Sequence, residues 1–271
     1  MADSTTGMSK ILYRCYETRS REGEQFIQDH AFSFQIAGTS TLFDGKKSYV
    51  AKEGDFRLIR RNRLAKFNKQ PPENEEFKSI SVLLDQQTLH ALSSELNLHA
   101  EMSFSSNDVT IPLKSHPLYT SFIDSLWVYL QLPEEEQARL MESKVREIVQ
   151  LLLLLNPETR DILFDFSQPG KIDLEAFMEK NFHFNVSLDR FAYLTGRSLA
   201  TFKRDFQKIF NTSPRHWLQQ RRLREAHLLL KERRIPVSDV YIEVGFENLS
   251  HFSFAFKKEY GYAPTELLKT A

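Results

Sequence analysis

Cationic side chains gather at two places late in this chain: Lys203, Arg204 and Lys208, then Lys257 and Lys258. Each group is threaded through aromatic residues four apart, Phe202, Phe206 and Phe210 in one, Phe252, Phe256 and Tyr260 in the other. Lysine and arginine pair with phosphate or carboxylate oxygens, and a guanidinium can also meet a planar pair of acceptors with two parallel hydrogen bonds. Other chemistries find little support. His30, His90, His99 and His116 are far apart, with no His-x-His pair to hold a metal on neighbouring strands. Cys15 is the single cysteine, so no intrachain disulfide forms. Neither a Gly-rich phosphate loop nor a Gly-x-Ser-x-Gly elbow occurs. No catalytic residue, metal or cofactor is expected, and the chain does not read as an enzyme.

The elements that must position these cations are written twice. Leu188 to Gly196, Phe202, Phe206, Phe210 and Pro214 are answered by Val237 to Gly245, Phe252, Phe256, Tyr260 and Pro264. The glycines are 49 apart and the later pairs 50 apart, so the second turn holds one extra residue. A match at fixed offset marks a duplicated supersecondary unit. Each copy predicts a short helix ending at a Gly able to take positive φ, then a second helix capped by Ser198 or Asn248. In the first copy Phe202, Phe206, Ile209 and Phe210 form the stripe that faces a core, and Lys203, Arg204 and Lys208 lie opposite. A single amphipathic helix with a solvated charged face would look the same; the duplication argues for more. Ser213 and Pro214 start a joining helix that runs to about Glu232, with Leu218, Leu223, Ala226, Leu229 and Leu230 on its apolar face. If it holds the two second helices about 34 Å apart, both can enter successive major grooves of one duplex.

Pro214-x-x-Trp217-Leu218, Arg222-Leu223-x-x-Ala226-x-x-Leu229-Leu230, Gly245-Phe246-x-x-x-Ser250-x-Phe252 and Phe256-Lys257-Lys258-x-Tyr260-Gly261-x-x-Pro264 resemble the signature of the AraC/XylS family of bacterial transcription regulators. The resemblance runs from about Ile172 to the end. It implies a seven-helix domain that binds double-stranded promoter DNA, with RNA polymerase as a further partner. Carried over by position, it turns Ala200, Lys203 and Arg204 toward base edges with Thr201 beside them, Arg204 being the best candidate for guanine O6 and N7. Leu249, Ser250, His251, Ser253 and Phe254 fill the matching places in the second helix. Phe254 departs from the family, where arginine is common, so the second unit is expected to read few bases. Ser198, Lys208, Asn248, Lys257 and Lys258 are the phosphate contacts implied.

The charge divides accordingly. Residues 171–271 hold 17 Lys and Arg against 12 Asp and Glu, whereas the chain as a whole is neutral, so a basic module follows an acidic one. From Leu12 to Leu113 short strands alternate with Gly, Asp and Pro turns, and Asp85 caps a helix through Leu96. A cupin-like β-barrel or double-sheet roll is expected at 11–114, which the family also implies. The order of elements resembles the N-terminal domain of the ExsA-type members, whose known partners are proteins. The basic run Arg57, Arg60, Arg61, Arg63, Lys66 and Lys69 reads first as a solvated sheet face. Its sharper reading, centred on the four arginines, is a rim for an anionic ligand or acidic partner.

A helical region follows at 115–156, where Met141, Val145, Ile148, Leu152 and Leu155 repeat as a heptad seam expected to form a homodimer. Such a face could instead only pack on the barrel. Residues 157–171 lose periodicity and carry Pro169-Gly170, a linker before the DNA domain at 172–271. The fold class expected is therefore α+β in two domains. No apolar run is long enough for a membrane span and no signal-peptide core precedes the first strand, so a cytoplasmic protein is expected. Its effector, small molecule or protein, is left open.

Overall fold

The computed structural model describes residues 10–21, 25–102, 104 and 106–270, and the chain divides after Ser167. Among the described residues ten strands come first: β1 (Ile11–Tyr16), β2 (Phe26–Ile27), β3 (His30–Ala37), β4 (Thr39–Phe43), β5 (Ser48–Ala51), β6 (Phe56–Ile59), β7 (Arg63–Leu64), β8 (Lys66–Gln70), β9 (Phe77–Leu84) and, after helix α1 (Gln86–Leu96), β10 (Thr110–Leu113). Antiparallel pairing gives a five-stranded sheet in the order β1-β9-β3-β6-β10 and a three-stranded one, β5-β4-β8. Both keep open edges, so the unit is a cupin-like roll, not a closed barrel. Turn chemistry sets the crossings: Asp44 accepts the amides of Lys46 and Lys47 beside Gly45 at φ 92°, and Asp85 caps α1 by accepting the Thr88 amide.

Strand periodicity separates two faces. Ile11, Phe32, Phe56, Leu58, Ile80, Val82 and Leu84 pack under α1, α2 (Pro117–Tyr129) and α3 (Glu134–Leu155) in one core. The other face, with Ala31 and Ile59, meets Leu42, Ala65 and Val109 in a smaller one. The helical region at 115–156 is thus part of the first unit's core, not a separate layer. Most of the expected dimer seam lies inside it. Met141, Val145, Ile148 and Leu152 are 0–2% exposed and Leu155 is half-buried. The heptad could not reveal this, because an amphipathic helix covering a sheet repeats its apolar residues much as a coiled-coil strand does. The face α3 leaves to solvent carries Leu140 and Leu154, 40% and 67% exposed.

The expected linker also begins folded. Pro157–Thr159 forms a 3-10 turn and α4 (Arg160–Leu163) follows, burying Ile162, Leu163 and Phe164 in the same core. What loses periodicity here is a pair of one-turn elements, too short to show a repeat.

The second unit is helical: α5 (Leu174–Asn181), α6 (Leu188–Leu194), α7 (Leu199–Phe210), α8 (Pro214–Arg233), α9 (Val237–Glu243), α10 (Leu249–Tyr260) and α11 (Pro264–Thr270). Phe191, Phe202 and Phe206 are fully buried, and Phe206 lies edge-on to Trp217 of α8 at 5.6 Å. Val240, Phe252 and Phe256 repeat this against Leu223, Ala226, Leu229 and Leu230. Each such side chain contributes about 1.5–3 kcal/mol on burial, so each half organises around its own aromatic set and shares α8.

Candidate nucleic-acid interface

The two second helices start alike. Ser198 accepts the Thr201 amide at the head of α7, and Asn248 accepts the His251 amide at the head of α10. Before each cap comes a glycine at positive φ in a tight turn. A Cβ on Gly196 would stand 2.4 Å from the backbone of Gly170, and one on Gly245 2.7 Å from the carbonyl oxygen of His183. Arg197 braces the first turn, its Nε donating to Asp205 at 3.1 Å and its Nη1 to the carbonyls of Ile172 and Thr195. That bond, with Lys171 and Arg204 nearby, holds the Asp205 carboxyl below the usual range.

With the aromatic faces buried, the opposite faces are free. On α7 Ala200, Lys203, Arg204 and Lys208 are exposed and Thr201 is half-buried, its hydroxyl taking a bond from Ser198. Ile209, expected in the core stripe, is instead 42% exposed: it lies about 60° round the helix from Phe206 and about 100° from Phe210, at the margin of the stripe. On α10 Ser250, His251, Lys257 and Lys258 are exposed and Ser253 is half-buried. Leu249 and Phe254 are exposed apolar residues at 42% and 71%.

Between the two helix-turn-helix units lies a groove of about 470 Å³, lined among others by Lys203 of α7, Arg215, Gln219 and Arg222 of α8, and His251 of α10. Arg222 is tied inward, donating from Nε and Nη2 to the carbonyls of Phe182 and Phe184, both at 2.8 Å; burial pushes its guanidinium down to about 10. Arg215 and Gln219, one turn apart, escaped the sequence reading. Their spacing off the apolar stripe of α8 was the available signal.

The arginines of the first unit fall elsewhere than a solvated sheet face. Arg57 and Arg60 are each 7% exposed. Arg60 donates to the carbonyls of Ser106 and Asp108 and lies over the Phe104 ring. Arg61 donates to the carbonyls of Asp165 and Ser167, and half-buried Arg63 to that of Asn62. Alternation along an arginine-bearing strand shows only which residues share a face; whether water reaches that face depends on the sheet across from it. Among the described residues, no group of three or more His, Cys, Asp or Glu could hold a metal ion, and no helix is long and apolar enough to cross a membrane.

Paired helix-turn-helix units at the two ends of one helix, behind a strand-rich unit, define a class of two-domain protein. Residues 191–270 match a family described as "Helix-turn-helix domain" and residues 30–166 one described as "ExsA N-terminal regulatory domain". The chain belongs to the AraC/XylS family of transcription regulators, with an N-terminal domain of the ExsA type. It is 31% identical to the HTH-type transcriptional regulator ExsA of Pseudomonas aeruginosa over 248 residues, covering 90% of this chain and 82% of that one. To the virulence regulon transcriptional activator VirF of Yersinia enterocolitica it is 32% identical over 124 residues, 44% of this chain and 46% of that one. The match thus spans less than half of VirF. Among solved structures, apo ToxT K231A from Vibrio cholerae aligns over 97% of this chain and 98% of its own at 13% identity, with a TM-score of 0.48.

Proposed function

We propose that this chain is a sequence-specific transcription activator that grips promoter DNA with α7 and α10 in successive major grooves. The observation that carries it is the duplicated surface: two helices, capped alike, present exposed polar and cationic faces from the two ends of α8. At 20 residues that helix is about 30 Å long, close to one turn of duplex. Arg204 is the base-reading fork, Lys203 reaches the same base or a phosphate, and Ala200 with Thr201 lies against the groove floor. In the second unit Leu249 and Phe254 meet thymine methyl groups, with Ser250, His251 and Ser253 beside them. Lys208, Lys257, Lys258 and the capped ends at Ser198 and Asn248 hold phosphates. Arg215 and Gln219 face the strand that spans the groove between the units.

RNA polymerase is the partner at the promoter, and the protein works in the cytoplasm as a homodimer. An effector, small molecule or protein, acts through the first unit; the match to a regulatory domain supports placing control there. Footprinting of the full chain should show two protected major grooves on one duplex face. Arg204→Ala should cost about 1–3 kcal/mol and relax one base position. Lys257→Ala should weaken all sequences alike and flatten the salt slope by about one unit. Protection of a single groove, or equal losses on specific and random DNA for Arg204→Ala, would overturn this reading.

A further inference from the structure

Inside the roll lies a buried guanidinium that its surroundings satisfy only in part. Arg57, mid-sheet on β6, stands opposite Ser33 of β3, which stands opposite Ser81 of β9. In the adjoining row Gln35 of β3, Ser79 of β9 and Arg14 of β1 are neighbours. Residues two apart on a strand share a face, so the rows make one patch of two guanidiniums, three hydroxyls and an amide. Ser40 closes on it from the facing three-stranded sheet, accepting from Nη2 of Arg57 at 2.5 Å. Lys69 pairs with Ser40 in register and donates to the Tyr16 hydroxyl at 3.3 Å. The one acid beside these rows is Asp55, two residues before Arg57, whose carbonyl takes the Gln35 amide; its carboxylate is exposed and accepts the Lys52 amide.

The chain shows how it settles a buried arginine that serves only the fold. Arg60 and Arg222 each donate to two backbone carbonyls. Arg57 differs: its Nε and Nη1 are buried with no hydrogen-bond partner. Desolvation, partly offset by the charge of Asp55, lowers the group to about 10, which still leaves it charged at neutral pH. A buried cation is retained where an anion or a full set of acceptors meets it, and a guanidinium beside hydroxyl donors suits a planar or tetrahedral oxyanion. Half-buried Arg14 and Lys69 lie on β1 and β8, edge strands of their sheets, so the patch extends to a sheet edge.

We propose that the roll interior around Arg57 binds the oxyanion of a small molecule, a carboxylate or a phosphate, with Arg57 as its counter-charge, Ser33, Ser40 and Ser81 as hydroxyl partners and Arg14 at the entrance. This makes the first unit a small-anion receptor; that occupancy tunes transcription rests on the regulator reading above, whereas binding itself needs no DNA. The test is thermal unfolding of the full chain at constant ionic strength in chloride, with inorganic phosphate, acetate or butyrate titrated to about 50 mM. A saturable rise in Tm is expected with at least one oxyanion, phosphate against the carboxylates naming the source. Arg57→Gln should weaken that response at least tenfold, and Arg14→Gln, at the sheet edge, should weaken it several-fold should Arg57→Gln not fold. No oxyanion exceeding chloride, or an unchanged response in the variant that folds, overturns the site. Mobility shifts with promoter DNA run beside this: wild type that binds DNA but ignores oxyanions sinks this site alone, and wild type that binds no promoter sinks the regulator reading.

Discussion

One buried polar residue in the first unit, His30, shows how position changes what a side chain does. His30 is 3% exposed, and its Nδ1 accepts the Arg61 amide at 3.2 Å. Desolvation first, then the charges of Arg61, Arg60 and Arg63, push it down to about 3, against about 6.5 in an unfolded chain. The fold therefore refuses a proton that the unfolded chain accepts between those values. His30 contributes its full stability above about pH 6.5 and loses it progressively as pH falls toward 3. Between pH 7 and pH 5 the first unit should lose about 2 kcal/mol, read from urea midpoints, and His30→Gln should flatten the difference. A midpoint that ignores pH over this range would show that His30 titrates normally. None of this was legible in sequence, where a lone histidine before an apolar run carries no mark of how deeply it is buried.

At the scale of elements the sequence was most readable. Asp85, Asp173, Ser187, Ser198, Ser213 and Asn248 all accept an amide at a helix start, because capping is settled within four residues. The glycines divide by what surrounds them. Gly196→Ala must place a Cβ against the Gly170 backbone at φ +65°, and should cost at least about 2 kcal/mol in the second unit. Gly261→Ala meets nothing within 4 Å at φ +85°, and should cost about 1 kcal/mol, the strain of the backbone alone. Thermal unfolding of both variants checks this, and equal losses would place the cost of Gly196→Ala wholly in its dihedral. The positive φ was foreseeable from helix–Gly–helix spacing. The approach of Gly170, 26 residues earlier, was not.

At the scale of the whole molecule, the enclosed heptad seam of α3 leaves a homodimer built on that helix its outward face, where Leu140 and Leu154 are 40% and 67% exposed. Light scattering should give wild type twice the chain mass, and Leu154→Glu should give a monomer with stability changed by less than about 0.5 kcal/mol, since the site is exposed. A monomeric wild type, with and without DNA, would remove the dimer. The duplication at a 50-residue offset, the capped helices, the turns between strands and the asymmetry of charge were all determined by sequence alone, since each depends on residues close along the chain or on a repeated pattern. Which face of α3 is covered, which arginines lie in the interior, and that Ile162 to Phe164 join the core were decided only in three dimensions. Periodicity tells which side chains share a face; whether that face meets water or another layer depends on chain tens of residues away.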